Sequence, residues 1–195
     1  MKILLAIPTR ESIHAATVHW MTGMLKGGDV ELFIGWTGRG VEEARNQIVK
    51  YFLKSNYTHL LMVDDDVVPS IGMPIPITVD ADILSFPTPV VLDGQKQLNA
   101  YKIIDGQYIP YGLNTGSAFE VDAVGGGCLL IRRGVFEEIE APFSALKKPD
   151  GTWHMSEDLF FCKRAKDKNF SIYADFEHKS EHYSKHPLLL MKNGV

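Results

Sequence analysis

An unbroken apolar run, Thr58-His59-Leu60-Leu61-Met62-Val63, ends in three consecutive aspartates, Asp64, Asp65 and Asp66. The run has the length of a strand and contains no breaker, so it predicts a strand buried on both faces. Three like charges at its end are costly. Adjacent carboxylates repel, and away from bulk water the repulsion amounts to several kcal/mol unless a cation or a proton relieves it. Side chains alternate along a strand, so Asp64 and Asp66 point one way and Asp65 the other. The carboxyl end of a strand is where open α/β sheets bind ligands. A divalent metal is the natural counter-charge.

The elements before this strand alternate. Lys2 to Ile7 predicts a strand leading into Pro8-Thr9, and His14 to Leu25 a helix closed by Gly27-Gly28. Val30 to Trp36 predicts a second strand, followed by a Gly38-Arg39-Gly40 turn. From Val41 the apolar positions Val41, Ala44, Ile48, Tyr51 and Phe52 follow the rhythm of an amphipathic helix. This β-α-β-α-β order predicts a parallel sheet with helices on its faces, a Rossmann-like, nucleotide-binding type of start.

After Asp66 the prolines at 69, 74, 76, 87 and 89 exclude long helices. Asp82 to Phe86 predicts another sheet strand. Residues 93–122 mix turns with short β-like runs, Leu98 to Ile104 among them, and predict a small antiparallel excursion. Gly125-Gly126-Gly127 is a turn feeding the apolar Cys128-Leu129-Leu130-Ile131 strand. Val135 to Ile139 predicts a short helix, Ser156 to Lys168 a longer one with Ser156 as its N-cap, and Ser171 to Phe176 a late strand.

At 195 residues the chain suits a single domain. A formal net charge of −4 gives no general basic field, so no duplex nucleic acid is expected as a partner. The two cysteines, Cys128 and Cys162, suggest neither a disulfide framework nor a zinc site. The N-terminal apolar stretch stops at Pro8, too short for a signal peptide or a membrane span, which predicts a cytoplasmic protein with no transmembrane segment.

Two further clusters carry chemistry. Ser156-Glu157-Asp158 opens a helix whose dipole stabilises acids in the first turn. Asp158 shares a face with Phe161, Cys162 and Ala165, so it points toward the protein, and Glu157 falls on the adjacent face with Phe160 and Arg164. Helix capping explains the pair, and so does a role for Asp158 as a general base. The tail from His178 to His186 reads as a solvated surface. Beside a divalent metal, however, an imidazole there suits Mn²⁺ alongside oxygen ligands, and its lysines would neutralise phosphate.

Five stretches together resemble one family. Ala44-Arg45-Asn46, the run into Asp64-Asp65-Asp66, and Val124 through Arg133 come in the order and approximate spacing of the GT-A glycosyltransferases of the family 2-like type. Ser156 through Phe161 and the stretch from Asp175 to His182 complete the set, which spans Pro8 to His182. The resemblance implies a GT-A fold, with residues 1–92 as nucleotide-binding half and 93–195 as acceptor-side half and metal-ligand tail. It implies transfer of a sugar from a nucleotide-diphosphate donor to the hydroxyl of a glycan or other acceptor, with Mn²⁺ or Mg²⁺ as cofactor.

The resemblance also implies residue roles. Asp66 would bind the metal, with Asp64 and Asp65 nearer the sugar nucleotide. A histidine after the last core strand would be a second ligand, a place that His182 fits better than His178. Pro8, Thr9 and Arg45 would lie at the nucleotide, although an exposed helical arginine explains Arg45 too. Gly126 and Gly127 would let the backbone approach the donor sugar, or serve a tight turn. Lys185 would face the phosphates, and Asp158 would be the base of an inverting enzyme. Loops at 69–78 and 141–155 would close over the donor. Trp153 and His154 would line the acceptor site, with packing the alternative for Trp153. Retaining enzymes share this pattern. A sugar-nucleotide nucleotidyltransferase and a non-catalytic nucleotide- or carbohydrate-binding relative are the rival readings. The first wants a glycine-rich loop that Pro8-Thr9-Arg10-Glu11-Ser12 lacks, and the second has no use for a base. An oligomer is compatible with the sequence.

Overall fold

The computed structural model describes residues 1–27, 30–92, 94–113, 116–147 and 153–183. The first third follows the expected alternation: β1 (Ile3–Thr9), α1 (Ala15–Gly27), β2 (Val30–Trp36), α2 (Val41–Lys54) and β3 (His59–Val63). Shorter strands follow: β4 (Val67–Pro69), β5 (Ile83–Ser85), β6 (Pro89–Leu92), β7 (Gln95–Ile104), β8 (Gln107–Tyr111), β9 (Ala118–Glu120) and β10 (Ala123–Val124). The chain continues through β11 (Cys128–Arg132), α3 (Arg133–Glu138), β12 (Leu146–Lys147), β13 (Trp153–Met155), α4 (Glu157–Asp167), β14 (Ile172–Asp175) and β15 (Ser180–His182).

The central sheet has seven strands in the order β2-β1-β3-β11-β5-β14-β9. β1 pairs in parallel with β2 and β3, and β14 with β5, while β11 and β9 run against the rest. The parallel part is what the alternating elements predict, and the mixed, mainly parallel sheet as a whole is the one expected of the GT-A resemblance. The antiparallel excursion is present as well: β7 pairs with β6, β8 and β10 in a separate sheet.

Hydrophobic alternation fixes the two faces. Leu4, Ala6, Leu60 and Met62 pack with Ile48 and Phe52 of α2 and Phe161 of α4 on one side. Ile3, Leu5, Ile7, Leu61 and Val63 pack with Met21 and Met24 of α1 on the other. Each of these side chains is buried, which is why β1 and β3 read as continuous apolar runs. Gly35 lets α2 lie close to the sheet, since a Cβ there would sit 2.6 Å from Ile48 Cγ1. Among the described residues no helix is long and apolar enough to cross a membrane.

Two local details differ from expectation. Ser156 occupies the N-cap position of α4, but its hydroxyl makes no capping hydrogen bond to the helix and is instead paired with the Asp158 carboxylate. The proline-rich stretch after Asp66 holds β4, which pairs antiparallel with β15 at the far end of the chain, His182 opposite Val67. Neither three-residue strand has a periodic signal of its own, because their partner is more than a hundred residues away.

Candidate functional site

The carboxyl ends of β1, β2, β3, β5 and β14 lie at one edge of the sheet, and the antiparallel β11 begins there directly after Gly125-Gly126-Gly127. The aspartate triplet leaves β3 at this edge. The Asp64 N–H donates to the Gly127 carbonyl at 2.9 Å, which ties the triplet to the glycine turn. Its carboxylate turns toward α2, where Arg45 Nη2 donates to Oδ1 at 2.8 Å. Arg45 Nη1 donates to Glu157 Oε1 of α4 at 2.6 Å. The guanidinium side chain is only 3% exposed, so Arg45 is a buried bridge between two carboxylates rather than a surface residue. It lies over the Phe143 ring, 5.6 Å from the centroid. Phe143 is itself fixed by Asn46, whose Nδ2 donates to the Phe143 carbonyl at 2.6 Å.

The glycine turn and the acid helix meet at the same place. A Cβ on Gly126 would sit 2.4 Å from Arg45 Nη2, so the close approach that this glycine permits is made by the guanidinium. The Gly126 N–H donates to Asp158 Oδ2 at 3.1 Å, and Asp158 Oδ1 accepts the Leu159 N–H at 2.8 Å. Gly127 leaves room for Thr88, whose Oγ1 would be 2.8 Å from an added Cβ.

Asp65 points to the opposite face, as alternation requires. Its Oδ2 accepts the Thr9 hydroxyl at 2.6 Å, and its carbonyl accepts the His14 N–H at 2.7 Å. Asp66 meets the tail: Oδ2 stands 3.5 Å from His182 Nε2, and the Asp66 carbonyl accepts the Tyr183 N–H at 2.8 Å. The Tyr183 ring stacks on His14 at 4.9 Å. His178 is engaged elsewhere, with Nδ1 2.9 Å from Asp175 Oδ2. Of the two histidines, His182 is the one brought to Asp66.

These groups surround a cleft of about 290 Å³ lined by Pro8, Thr9, Arg10 and Val41 together with the triplet and His182. Its electrostatics are negative. Burial raises the Asp64 carboxyl above its ordinary pKa, against the pull of Arg45 and with the repulsion of Asp66 and Asp65 added. Burial likewise raises Glu157, opposed by Arg45. Burial works against charge on Arg45 as well, but Asp64, Glu157 and Asp158 outweigh it and hold the guanidinium firmly protonated. The hydrogen bond to Asp66 raises His182 against the effect of its burial. One arginine shared between two carboxylates leaves the edge with an excess of negative charge, which a cation would relieve. Among the described residues no group of three or more His, Cys, Asp or Glu side chains could hold a metal ion. Asp66 and His182 form an oxygen–nitrogen pair, two of the positions that a divalent ion such as Mn²⁺ would need.

The structure thus gathers Pro8, Thr9, Asp64, Asp65, Asp66 and His182 around the cleft, with Arg45, Gly126 and Asp158 in the hydrogen-bonded layer linked to Asp64. Lys185 lies outside the described residues. Glu157 escaped the sequence reading as a site residue. The signal available was its place beside Asp158 in a first turn; its partner, Arg45, is 112 residues away and becomes visible only in three dimensions.

No family model matches the chain, and no curated protein sequence does. Solved structures do share its fold. The crystal structure of A197 from STIV superposes with a TM-score of 0.65 at 21% identity, covering 95% of this chain and 87% of that one. The crystal structure of GalNAc-T7 with UDP, GalNAc and Mn²⁺ gives a TM-score of 0.62 at 12% identity, covering 94% of this chain and 44% of that one. This chain therefore spans less than half of that longer protein. The inositol-1-phosphate CTP transferase from T. maritima, at a TM-score of 0.46, is too distant to inform the reading. At such identities the likeness establishes the fold, a GT-A-like mixed α/β domain.

Proposed function

We propose that this chain is a metal-dependent glycosyltransferase, moving a sugar from a nucleoside-diphosphate donor to an acceptor hydroxyl. The observation that carries the reading is the negative cleft at the carboxyl edge, where Asp66 Oδ2 and His182 Nε2 face each other 3.5 Å apart. Support also comes from the fold, which this chain shares with a protein crystallised with UDP, GalNAc and Mn²⁺.

Asp66 and His182 would hold the divalent ion, which supplies Lewis acidity to the departing diphosphate when bound. The protein's own residues do the rest. Arg45 fixes the Asp64 carboxylate, and the Thr9 hydroxyl fixes Asp65, so the triplet is oriented before any ligand arrives. Asp158 is the proposed base. Its two oxygens are aimed by the N–H groups of Gly126 and Leu159. It takes the proton from the acceptor hydroxyl as that oxygen bonds to the anomeric carbon. The bond from that carbon to the diphosphate breaks, and the diphosphate leaves with the electron pair. Attack opposite the leaving group gives inversion. The protein would be cytoplasmic, with the charge of Lys185 proposed to neutralise phosphate, and Trp153 and His154 proposed to serve the acceptor.

The test is thermal stability against a panel of nucleoside diphosphates and their sugars, with and without Mn²⁺, in the wild type and Asp66→Asn. A nucleotide at a hundred times its Kd adds about 2.7 kcal/mol. In a chain of this size that raises Tm by roughly 5–11 °C. The rise should require Mn²⁺ and vanish in Asp66→Asn. A wild type that no nucleotide stabilises, with or without the metal, overturns the proposal.

A further inference from the structure

We infer that Trp36 is the platform on which the base of the nucleotide donor stacks, an inference that rests on reading the cleft as a nucleotide-sugar site. Trp36 is the last residue of β2 and is 64% exposed. Tryptophan is highly buried on average, so at this end of the strand Trp36 presents an unusually large, flat aromatic surface to solvent. Most of its surface is open, and among the described residues no hydrogen bond or ring contact is found for it, in contrast to Trp20, whose Nε1–H donates to the Ile71 carbonyl at 2.8 Å.

Its position is set by the sheet. In the parallel ladder Thr9 of β1 is directly opposite Trp36 of β2, so the two side chains share a face. Thr9 lines the cleft, and its hydroxyl is bonded to Asp65 beyond β3. Asp65, Thr9 and Trp36 therefore step across three adjacent strands at the carboxyl edge. With neighbouring strands about 4.8 Å apart, the line from the triplet to Trp36 covers roughly 10 Å. A nucleotide whose diphosphate lies at Asp66 and His182 needs about this reach for its ribose and base. The backbone that carries Trp36 is fixed before binding: the Thr37 N–H donates to the Thr9 carbonyl at 3.3 Å, and the Thr37 hydroxyl accepts the Arg39 N–H at 3.2 Å. A flat, exposed ring on a rigid strand end is suited to the face of a base. Such a face is common to every nucleobase, so Trp36 would supply affinity, and choice among bases would fall to groups that reach its edge.

Isothermal titration tests this with two probes, both in the presence of Mn²⁺. One is a panel of uridine, cytidine, guanosine, adenosine and thymidine diphosphates, and the other is inorganic pyrophosphate, which has no base. Trp36→Leu should weaken the preferred nucleoside diphosphate roughly 5- to 150-fold. Pyrophosphate affinity should not change, and Trp36→Phe should retain most of the nucleotide affinity because its ring also stacks. The ligand-free melting temperatures of both variants should match the wild type, since the side chain is exposed. Unchanged nucleotide affinity in Trp36→Leu overturns the inference, including the case where only self-association through the β2 edge is altered. Equal losses for nucleotide and pyrophosphate overturn it too. A wild type that binds no nucleotide is a separate result, which removes the proposed function and not merely the role of Trp36.

Discussion

Replacing Arg45 by methionine isolates the element on which the geometry of the aspartate triplet depends. The arginine side chain is 3% exposed and links Asp64, 28% exposed, to Glu157, 16% exposed. Methionine fills much of the volume but leaves both carboxylates without a counter-charge. Breaking a buried pair of this kind costs about 3–5 kcal/mol. For a chain of this length that lowers Tm by roughly 6–20 °C. The pH dependence follows from the same residues. Burial already holds Asp64 and Glu157 above their ordinary pKa values, with Arg45 pulling them down. Without Arg45 their folded-state pKa values rise further. A carboxyl whose folded pKa exceeds its unfolded one favours the folded state when protonated, and loses that advantage as pH rises through the folded pKa. The deficit of Arg45→Met relative to wild type should therefore be largest at neutral pH and shrink toward pH 5. Arg45→Lys should not restore stability, because an ammonium lacks the fork that reaches both partners. Gly126→Ala, whose Cβ would press on the guanidinium, should be destabilising alone and better tolerated in the Arg45→Met background. Melts by circular dichroism from pH 5 to 8 measure all of this. A Tm for Arg45→Met within about 2 °C of wild type at pH 7, or a deficit that is flat with pH, refutes the buried bridge.

Two other outcomes are expected. Asp158→Asn keeps an acceptor for the Gly126 N–H, so fold and nucleotide affinity should persist while turnover of the donor falls about 10²- to 10⁴-fold; undiminished turnover removes Asp158 as the base. Cys128 and Cys162 are both buried, and burial pushes the Cys162 thiol up to about 12 and Cys128 higher still. A thiol reagent at pH 8 should find neither in the native protein and both after denaturation, and native labelling would show that the core opens.

Much of the fold was legible because hydrophobic period and element type coincide in its first third. The expected second strand, Val30 to Trp36, matches β2 residue for residue, and the helix expected from Val41 begins there. Strand direction is another matter: nothing local in Cys128-Leu129-Leu130-Ile131 says that β11 runs antiparallel between β3 and β5. The triplet announced itself through unfavourable charge at the end of a buried run. The burial of Arg45 was recoverable in principle, since it falls with Ala44, Ile48, Val49 and Phe52 on the inward side of α2. A charged side chain masks that periodicity. The meeting of Asp66 with His182 has no local hydrophobic signal: the family resemblance favoured His182 over His178, and the register of β15 on β4 is what carries that imidazole to Asp66. The openness of Trp36 is equally invisible, since an apolar residue closing a strand reads as core.

β11 also has a bearing on how the chain comes into being. β2, β1 and β3 are complete by Val63, yet the neighbour that closes the β3 edge consists of residues Cys128 to Arg132. Until those residues leave the ribosome, Leu60 to Val63 present an apolar strand with an unsatisfied backbone, the kind of edge that recruits other chains. Between the synthesis of β3 and that of β11 this edge therefore stands open, and a nascent chain paused there exposes a strand that its own fold later covers.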